Sequence, residues 1–154
     1  MSLEDMYQDL ILDHYRKPHN RAPSLASEDV HVHHSNPLCG DEMDLRLRVV
    51  DDRVDGLVFD GEGCSISQAS ASAMTQAVLG RELKDALDLT EDFRRMMHGE
   101  DAARADDLMD GVAFEGVAKF PVRVKCALLG WMALRDAITT YERGATAHTV
   151  THEE

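Results

Sequence analysis

The chain of 154 residues has little of what marks a disulfide scaffold or a membrane protein. Its three cysteines are few and odd in number, so we expect reduced thiols and not a disulfide framework. The longest strongly apolar run, residues 126–134, is well short of the ~20 residues that a membrane-spanning helix needs. The first residues also lack the basic start and apolar core of a signal peptide, and we therefore expect a cytoplasmic protein.

Positive charge is scarce as well. Lysine and arginine number 16 against 29 acidic residues, which gives a formal net charge of −13. A surface of that sign repels nucleic-acid phosphates and anionic lipids, so we expect no nucleic-acid partner and no membrane partner. The excess of acid is typical of a solvated surface, and the alternative is a landing surface for a basic partner.

Hydrophobic periodicity predicts an α+β fold in the first half of the chain. Apolar residues at helical spacing predict a helix over about 3–16, behind the N-cap candidate Ser2. Alternation at 30–33, 45–49 and 54–59, with a turn signal at 51–52, predicts a small antiparallel sheet of about three strands. We expect this sheet to pack against several α-helices.

The second half of the chain predicts helices. The pattern changes after residue 63 to a helix that ends at Gly80, followed by two or three short helices within 81–116 and a long helix over about 124–141. Pro121 stands just before the long helix. We expect one domain over 1–144 and a disordered tail over 145–154, because the tail has no periodicity.

The three thiols all fall at the ends of predicted elements. Cys39 follows a proline-bearing turn, Cys64 stands at a strand-to-helix junction, and Cys126 begins the last helix. Because a helix N-terminus carries partial positive charge, we expect a lowered pKa for Cys64 and Cys126.

A metal site is one interpretation of these thiols. A tetrahedral metal needs a fourth ligand, and Asp41 is the candidate because Gly40 can form the bend that turns it toward Cys39. Sulfur ligands with one oxygen suit zinc better than magnesium or calcium. The alternative is that the thiols are ordinary buried side chains, since their spacing matches no general zinc motif.

Three longer stretches together resemble one family. They are NPLCGDEM at 36–43, GEGCSISQASASAMTQA at 61–77 and KFPVRVKCALLGW at 119–131, and YQDLILDHYRKPHNR near the N-terminus is similar as well. The chain thereby resembles the SufU family, a branch of the IscU-like iron–sulfur cluster assembly proteins. Two features favour the SufU branch: Lys125 stands where IscU scaffolds have histidine, and the charged segment 81–116 looks like the longer SufU insertion.

The resemblance implies a zinc-dependent sulfurtransferase that takes persulfide sulfur from a SufS-type cysteine desulfurase. In the family, the positions that match Cys39, Asp41, Cys64 and Cys126 bind zinc, and Cys39 matches the sulfur acceptor. Downstream iron–sulfur assembly proteins are then the further partners. Two alternatives stay open, which are a scaffold that holds a [2Fe–2S] cluster on the same thiols and a structural zinc in an interaction module.

Two basic residues flank the third thiol. Three thiolates and a carboxylate around Zn²⁺ carry a formal charge of −2, so Arg123 and Lys125 are candidates to stabilise the site. We expect a catalytic role for Arg123, and the alternative is that both side chains are exposed charges at a helix start.

The serines and histidines predict packing and not chemistry. Four serines at 65, 67, 70 and 72 alternate with alanines, and we expect close helix packing because no histidine or acid lies at a spacing that would make a catalytic triad. His31 and His33 are expected on an exposed sheet face, and His148 and His152 are expected to be inert in the tail.

Overall fold

The computed structural model describes residues 2–152. Four α-helices are present: α1 (Leu3–Arg16), α2 (Ser65–Val78), α3 (Leu83–Met97) and α4 (Pro121–Glu142). Four strands are present: β1 (Val30–Asn36), β2 (Asp41–Val50), β3 (Arg53–Glu62) and β4 (Ala147–Thr151). A 3₁₀ segment, Ala105–Lys119, joins α3 to α4 and is broken at Met109. This architecture confirms the predicted α+β class.

The sheet has the strand order β3-β2-β1-β4. Strands β1, β2 and β3 pair antiparallel, as predicted, and β2 turns into β3 through Asp51 and Asp52, both at positive φ as a tight hairpin requires. The fourth strand, β4, pairs in parallel with β1. The predicted disordered tail is therefore wrong for residues 147–151, while Glu153 and Glu154 lie outside the described residues.

Helices cover one face of the sheet. Apolar and polar side chains alternate along the strands, so one face is apolar and is buried against the helices. The inward side chains of β2 at Met43, Leu45 and Leu47 are fully buried, whereas the intervening residues are partly exposed. On the helical side, Phe93 of α3 stacks on Trp131 of α4 with ring centroids 4.7 Å apart. These aromatic rings lie in the core and not at a ligand site.

Small residues let α2 and α4 approach closely. A Cβ at Gly130 of α4 would lie 3.2 Å from the Cβ of Ala71 in α2, and Ser70 Oγ donates a 2.7 Å hydrogen bond to the carbonyl of Ala127. The serines and alanines of α2 from Ser67 to Ala73 are buried, as close helix packing requires, whereas Ser65 is exposed. Within residues 2–152 no helix combines the length and apolarity that a bilayer crossing demands.

Candidate metal centre

The turn between β1 and β2 carries the first predicted ligand. Asn36 shapes this turn, since its side-chain oxygen accepts from the N–H of Leu38 and its carbonyl accepts from the N–H of Gly40. Gly40 has φ +71°, which favours glycine. The turn places Cys39 Sγ 3.2 Å from Asp41 Oδ2, so the thiol and the carboxylate at the start of β2 face each other.

The junction between β3 and α2 carries the second thiol. Cys64 is the N-cap of α2, and its backbone N–H donates a 2.9 Å hydrogen bond to Asp41 Oδ1. Its Sγ lies 3.8 Å from Asp41 Oδ2 and accepts from the N–H of Ser67 at 3.5 Å. Gly63 is needed for this approach, because a Cβ there would lie 2.7 Å from Asp41 Oδ1 and 2.5 Å from Ser67 Oγ.

The third thiol comes from α4. Cys126 is buried in the second turn of that helix, and ligand atoms of Cys39, Asp41 and Cys126 lie within 4.8 Å of one another. Three chain segments that are distant in sequence therefore converge at one carboxylate. Cys64 contacts the same carboxylate and is exposed to solvent.

The electrostatics of this cluster favour a bound cation. Asp41 is only 1% exposed, and among the described residues it forms no salt bridge. Burial raises the pKa of Cys126 far above its ordinary value, and the neighbouring Cys64 and Asp41 add to the rise. Burial likewise raises the pKa of Cys39, where the charge of Asp41 contributes. Within residues 2–152, no cationic side chain is paired with the Asp41 carboxylate.

The expected low pKa of Cys126 is wrong. Helix α4 begins at Pro121, three residues earlier than predicted, so Cys126 lies beyond the first turn where the unpaired N–H groups are. Its thiol is buried beside a carboxylate and another thiol, and these surroundings disfavour the thiolate unless a cation is present.

The donor set fits a zinc ion. Three thiols and one carboxylate match the number and kind of ligands in a structural tetrahedral zinc site, and soft sulfur ligands suit zinc. Cys39, Asp41 and Cys126 have ligand atoms within 4.8 Å of one another, whereas Cys64 is outside this group and meets it through Asp41. Thiolates also hold iron–sulfur clusters, so the chemistry of the ligands leaves both groups possible.

Arg123 and Lys125 lie on the exposed surface of the first turns of α4. The guanidinium of Arg123 stands over the ring of Phe120, 5.6 Å from its centroid. Among the described residues, the structure records no hydrogen bond or salt bridge from Arg123 to the thiols or to Asp41. The proposed catalytic role of Arg123 stays a prediction.

Ser72 of α2 meets a histidine and an acid that the spacing of residues in the sequence did not indicate. Its Oγ lies 2.7 Å from Nδ1 of His14, whose Nε2 lies 2.8 Å from Asp110 Oδ2. The hydroxyl also accepts from the backbone N–H of His19 and is fully buried. Because no substrate can reach this hydroxyl, the Ser–His–Asp contact joins α1 to α2 and the 3₁₀ segment and is structural.

His148 and His152 are ordered by contacts with the body of the protein, and no contact tests the prediction that they are chemically inert. Nδ1 of His148 lies 2.8 Å from the carboxylate of Asp136 in α4, and Nε2 of His152 lies 2.8 Å from Nδ1 of His34. His31 and His33 are partly exposed on the outer sheet face, as expected, and both contact Asp44.

Sequence reasoning missed the residues that support the ligands. Asn36 shapes the Cys39 turn. The glycines on both sides of Glu62 were expected to allow a close approach of the backbone to a bound ion, but the space that Gly63 leaves for Asp41 was not foreseen. The asparagine before Pro37 and the glycine before Cys64 are turn signals that could have indicated both. Arg21, which binds the loop before Cys64, has no local signal because its partners lie 40 and 47 residues away.

Known proteins resemble this chain in sequence and in fold. Residues 6–127 match the NifU-like N terminal domain family, and the chain belongs to this family, which confirms the resemblance. The chain is 41% identical over 143 residues to the zinc-dependent sulfurtransferase SufU of Bacillus subtilis (strain 168), covering 93% of this chain and 96% of that protein.

A second relative is the iron–sulfur cluster assembly scaffold protein IscU of Streptococcus pyogenes serotype M1. The two are 36% identical over 151 residues, which cover 98% of this chain and 92% of that protein. The crystal structure of a nitrogen-fixing NifU-like protein (N-terminal) from Brucella abortus superposes with a TM-score of 0.81 at 26% identity, over 93% of this chain and 99% of that chain.

Proposed function

We propose that this protein is a zinc-dependent sulfur acceptor that takes persulfide sulfur from a SufS-type cysteine desulfurase for iron–sulfur cluster assembly. The observation that carries the proposal is the convergence of Cys39, Asp41 and Cys126 to within 4.8 Å, with Cys64 in contact with the same carboxylate. The name of the Bacillus subtilis relative supports zinc and sulfur transfer.

The four proposed zinc ligands are Cys39, Asp41, Cys64 and Cys126. When bound, zinc would keep the thiols deprotonated and join the β1–β2 turn, the start of α2 and α4. A buried carboxylate without a cationic partner and two thiols with raised pKa values are the groups that such an ion would stabilise.

Cys39 is the proposed acceptor. Cys126 is buried on a helix, and the sulfur of Cys64 caps the backbone of α2. Cys39 instead lies on a turn beside Leu38, which is 71% exposed. Its thiolate would attack the outer sulfur of the desulfurase persulfide, so that an S–S bond forms at Cys39 while the S–S bond of the desulfurase breaks. The desulfurase cysteine leaves as a thiolate and takes up a proton, and no external oxidant is required.

The partners follow from this chemistry. A cysteine desulfurase supplies the sulfur, and iron–sulfur assembly proteins receive it. Three free cysteines fit a reducing compartment, and we propose the cytoplasm as the location.

The test combines metal analysis with a transfer assay. Protein purified without added iron should contain about one zinc per chain. After incubation with a SufS-type desulfurase and cysteine, mass spectrometry should locate one extra sulfur atom on Cys39. The Cys39→Ser variant should accept none. Zinc without any labelled thiol would instead support a structural zinc in an interaction module.

Arg123 is proposed to assist the transfer. Its exposed guanidinium, near the start of the helix that carries Cys126, could attract the incoming persulfide. Arg123→Ala should slow the transfer while zinc stays bound. Arg143→Ala, at the opposite end of α4, is the matched control, and equal rates for both variants would exclude the role.

A [2Fe–2S] scaffold is the second candidate. The same thiolates could hold a cluster, and the Streptococcus pyogenes relative is named as an assembly scaffold. Lys125 at the position of the IscU histidine argues against it. A coloured iron chromophore in the purified protein, together with an absence of bound zinc, would support this candidate over sulfur transfer.

A further inference from the structure

A short loop, residues 63–64, joins β3 to α2 and contains Cys64. Gly61, near the end of β3, has φ +133° and pairs so closely with β2 that a Cβ would lie 2.2 Å from the carbonyl oxygen of Glu42. Gly63 carries no side chain that would limit its backbone. The position of Cys64 therefore depends on how the end of β3 and the start of α2 are held.

Arg21 contacts both sides of this loop, and its Nε also donates a 3.4 Å hydrogen bond to Asp60 Oδ1 in β3. One guanidinium nitrogen, Nη2, donates a 2.8 Å hydrogen bond to the carbonyl of Gly61, and Nη1 donates a 3.0 Å hydrogen bond to Oε1 of Gln68. Gln68 lies one turn after Cys64 on α2 and is 3% exposed. A single planar side chain thus connects the end of β3, before Cys64, with α2, after Cys64.

The backbone of Arg21 is itself fixed. The N–H of Phe59 in β3 donates to the carbonyl of Asn20, and the N–H of Ala22 donates to the carbonyl of Phe59, both at 3.0 Å. These two bonds attach residues 20–22 to the edge of β3. The backbone of Arg21 is therefore fixed beside β3, and its guanidinium lies at the end of that strand.

The position of Cys64 also determines that of Asp41. The backbone N–H of Cys64 donates to Asp41 Oδ1, which orients the carboxylate toward Cys39. We infer that Arg21, acting through the Gly61 carbonyl and Gln68, is a positioning residue that orders Cys64 and Asp41 before a metal binds. This inference rests on the metal site of the proposed function.

Three variants test the hydrogen bonds that Arg21 donates to Gly61 and Gln68. Arg21→Ala removes the donors to Gly61, Gln68 and Asp60, Arg21→Lys keeps the charge but not the planar fork, and Gln68→Met keeps the side-chain length but not the acceptor. Arg53→Ala is the matched control, because Arg53 also donates to a glycine carbonyl and an acid, Gly80 and Glu82, at the opposite end of β3.

The first readout is the affinity for zinc, measured by competition with a chelator. Loss of an outer-shell partner typically weakens metal binding about 10–100-fold, and we expect this loss for Arg21→Ala and Arg21→Lys. The double variant Arg21→Ala/Gln68→Met should bind zinc no less tightly than whichever single variant has the lower zinc affinity. Both substitutions break the same Arg21–Gln68 hydrogen bond, so their effects should not add. Wild-type affinity in Arg21→Lys would show that charge alone matters and would overturn the inference.

The second readout needs no metal. Hydrogen exchange of the Cys64 backbone N–H in the metal-free protein should become faster in Arg21→Ala and stay unchanged in Arg53→Ala. Unchanged exchange in Arg21→Ala would also overturn the inference. If the wild type binds no zinc, the proposed function fails, whereas the exchange measurement still decides whether Arg21 orders the loop.

Discussion

The imidazoles of His34 and His152 meet at the edge of the sheet, where Nδ1 of His34 lies 2.8 Å from Nε2 of His152. The other nitrogen of His34 lies 2.9 Å from Asp136 Oδ2, and His148 contacts the same carboxylate. Histidines of β1 and β4 therefore converge on one side chain of α4. These contacts attach the C-terminal strand to the body of the protein.

The attachment of β4 should weaken in acid. Burial lowers the pKa of His34 below its ordinary value of 6.5, and burial also lowers the pKa of His152, with Arg135 contributing. Above about pH 6.5 these imidazoles are neutral whether β4 is docked or free. Below about pH 6.5, the state with β4 undocked binds protons that the docked state does not. The free energy of docking therefore becomes less favourable by at most about 1.4 kcal/mol per pH unit for each histidine.

Backbone NMR signals of residues 147–152 should therefore move toward random-coil positions between about pH 7.5 and about pH 5. The charged and titratable groups around the two imidazoles are Asp136 and Arg135 of α4 and His148 of β4. His152→Gln should reduce this pH dependence, and His98→Gln, on the exposed end of α3, should leave it intact. A tail whose signals ignore pH in the wild type would contradict the expectation.

A methyl group at residue 63 should disrupt the metal centre. In Gly63→Ala the new Cβ would lie 2.7 Å from Asp41 Oδ1 and 2.5 Å from Ser67 Oγ, so the carboxylate has to move. We expect a loss of about 1–3 kcal/mol in the free energy of unfolding and weaker zinc binding. Denaturant titration and chelator competition measure the two effects.

Gly116→Ala is the control for this substitution, since a Cβ there meets no atom within 4 Å. Equal behaviour of the two glycine variants would show that the space beside Asp41 is not restricted.

Removal of the carboxylate should weaken the metal site more than removal of a neighbouring acid. Asp41→Ala deletes a proposed ligand and the acceptor of the Cys64 N–H, and we expect zinc affinity to fall at least about 10-fold. Asp44→Ala, three residues along β2, removes an acid that contacts His31 and His33 on the outer face. The same chelator competition should find Asp44→Ala close to wild type, and a similar loss in both variants would point to bulk charge as the cause.

Loss of the buried Ser72 hydroxyl should affect stability and not sulfur transfer. Ser72→Ala leaves Nδ1 of His14 and the backbone N–H of His19 without their hydrogen-bond partner. We expect the free energy of unfolding to fall by about 1–3 kcal/mol. Thermal and denaturant unfolding should detect this cost, with the exposed Ser24→Ala as control. Lost persulfide acceptance in Ser72→Ala with an intact fold would mean that the hydroxyl has a chemical role.

Much of the fold could be predicted from local patterns. Helix α1 begins directly after Ser2, because the capping box and the apolar residues at helical spacing both lie within one short segment of the sequence. The β2–β3 hairpin follows from alternation on both sides of Asp51 and Asp52. The turn signals beside Cys39 and Cys64 likewise indicated candidate ligands, whereas the set of four ligands was implied only by the family resemblance and stays a prediction.

The remaining features depend on contacts between residues far apart in the chain. Strand β4 has no apolar periodicity, and it forms by pairing with β1, with His152 contacting His34, 118 residues away. The raised pKa of Cys126 comes from burial beside Cys64 and Asp41, and no spacing of residues indicates such burial. Arg21 reaches Gly61 and Gln68 only after the chain segment that contains it has paired with β3. Local sequence encodes helices, strands and turns, whereas distances, burial and charge at the metal centre arise only when these elements pack together.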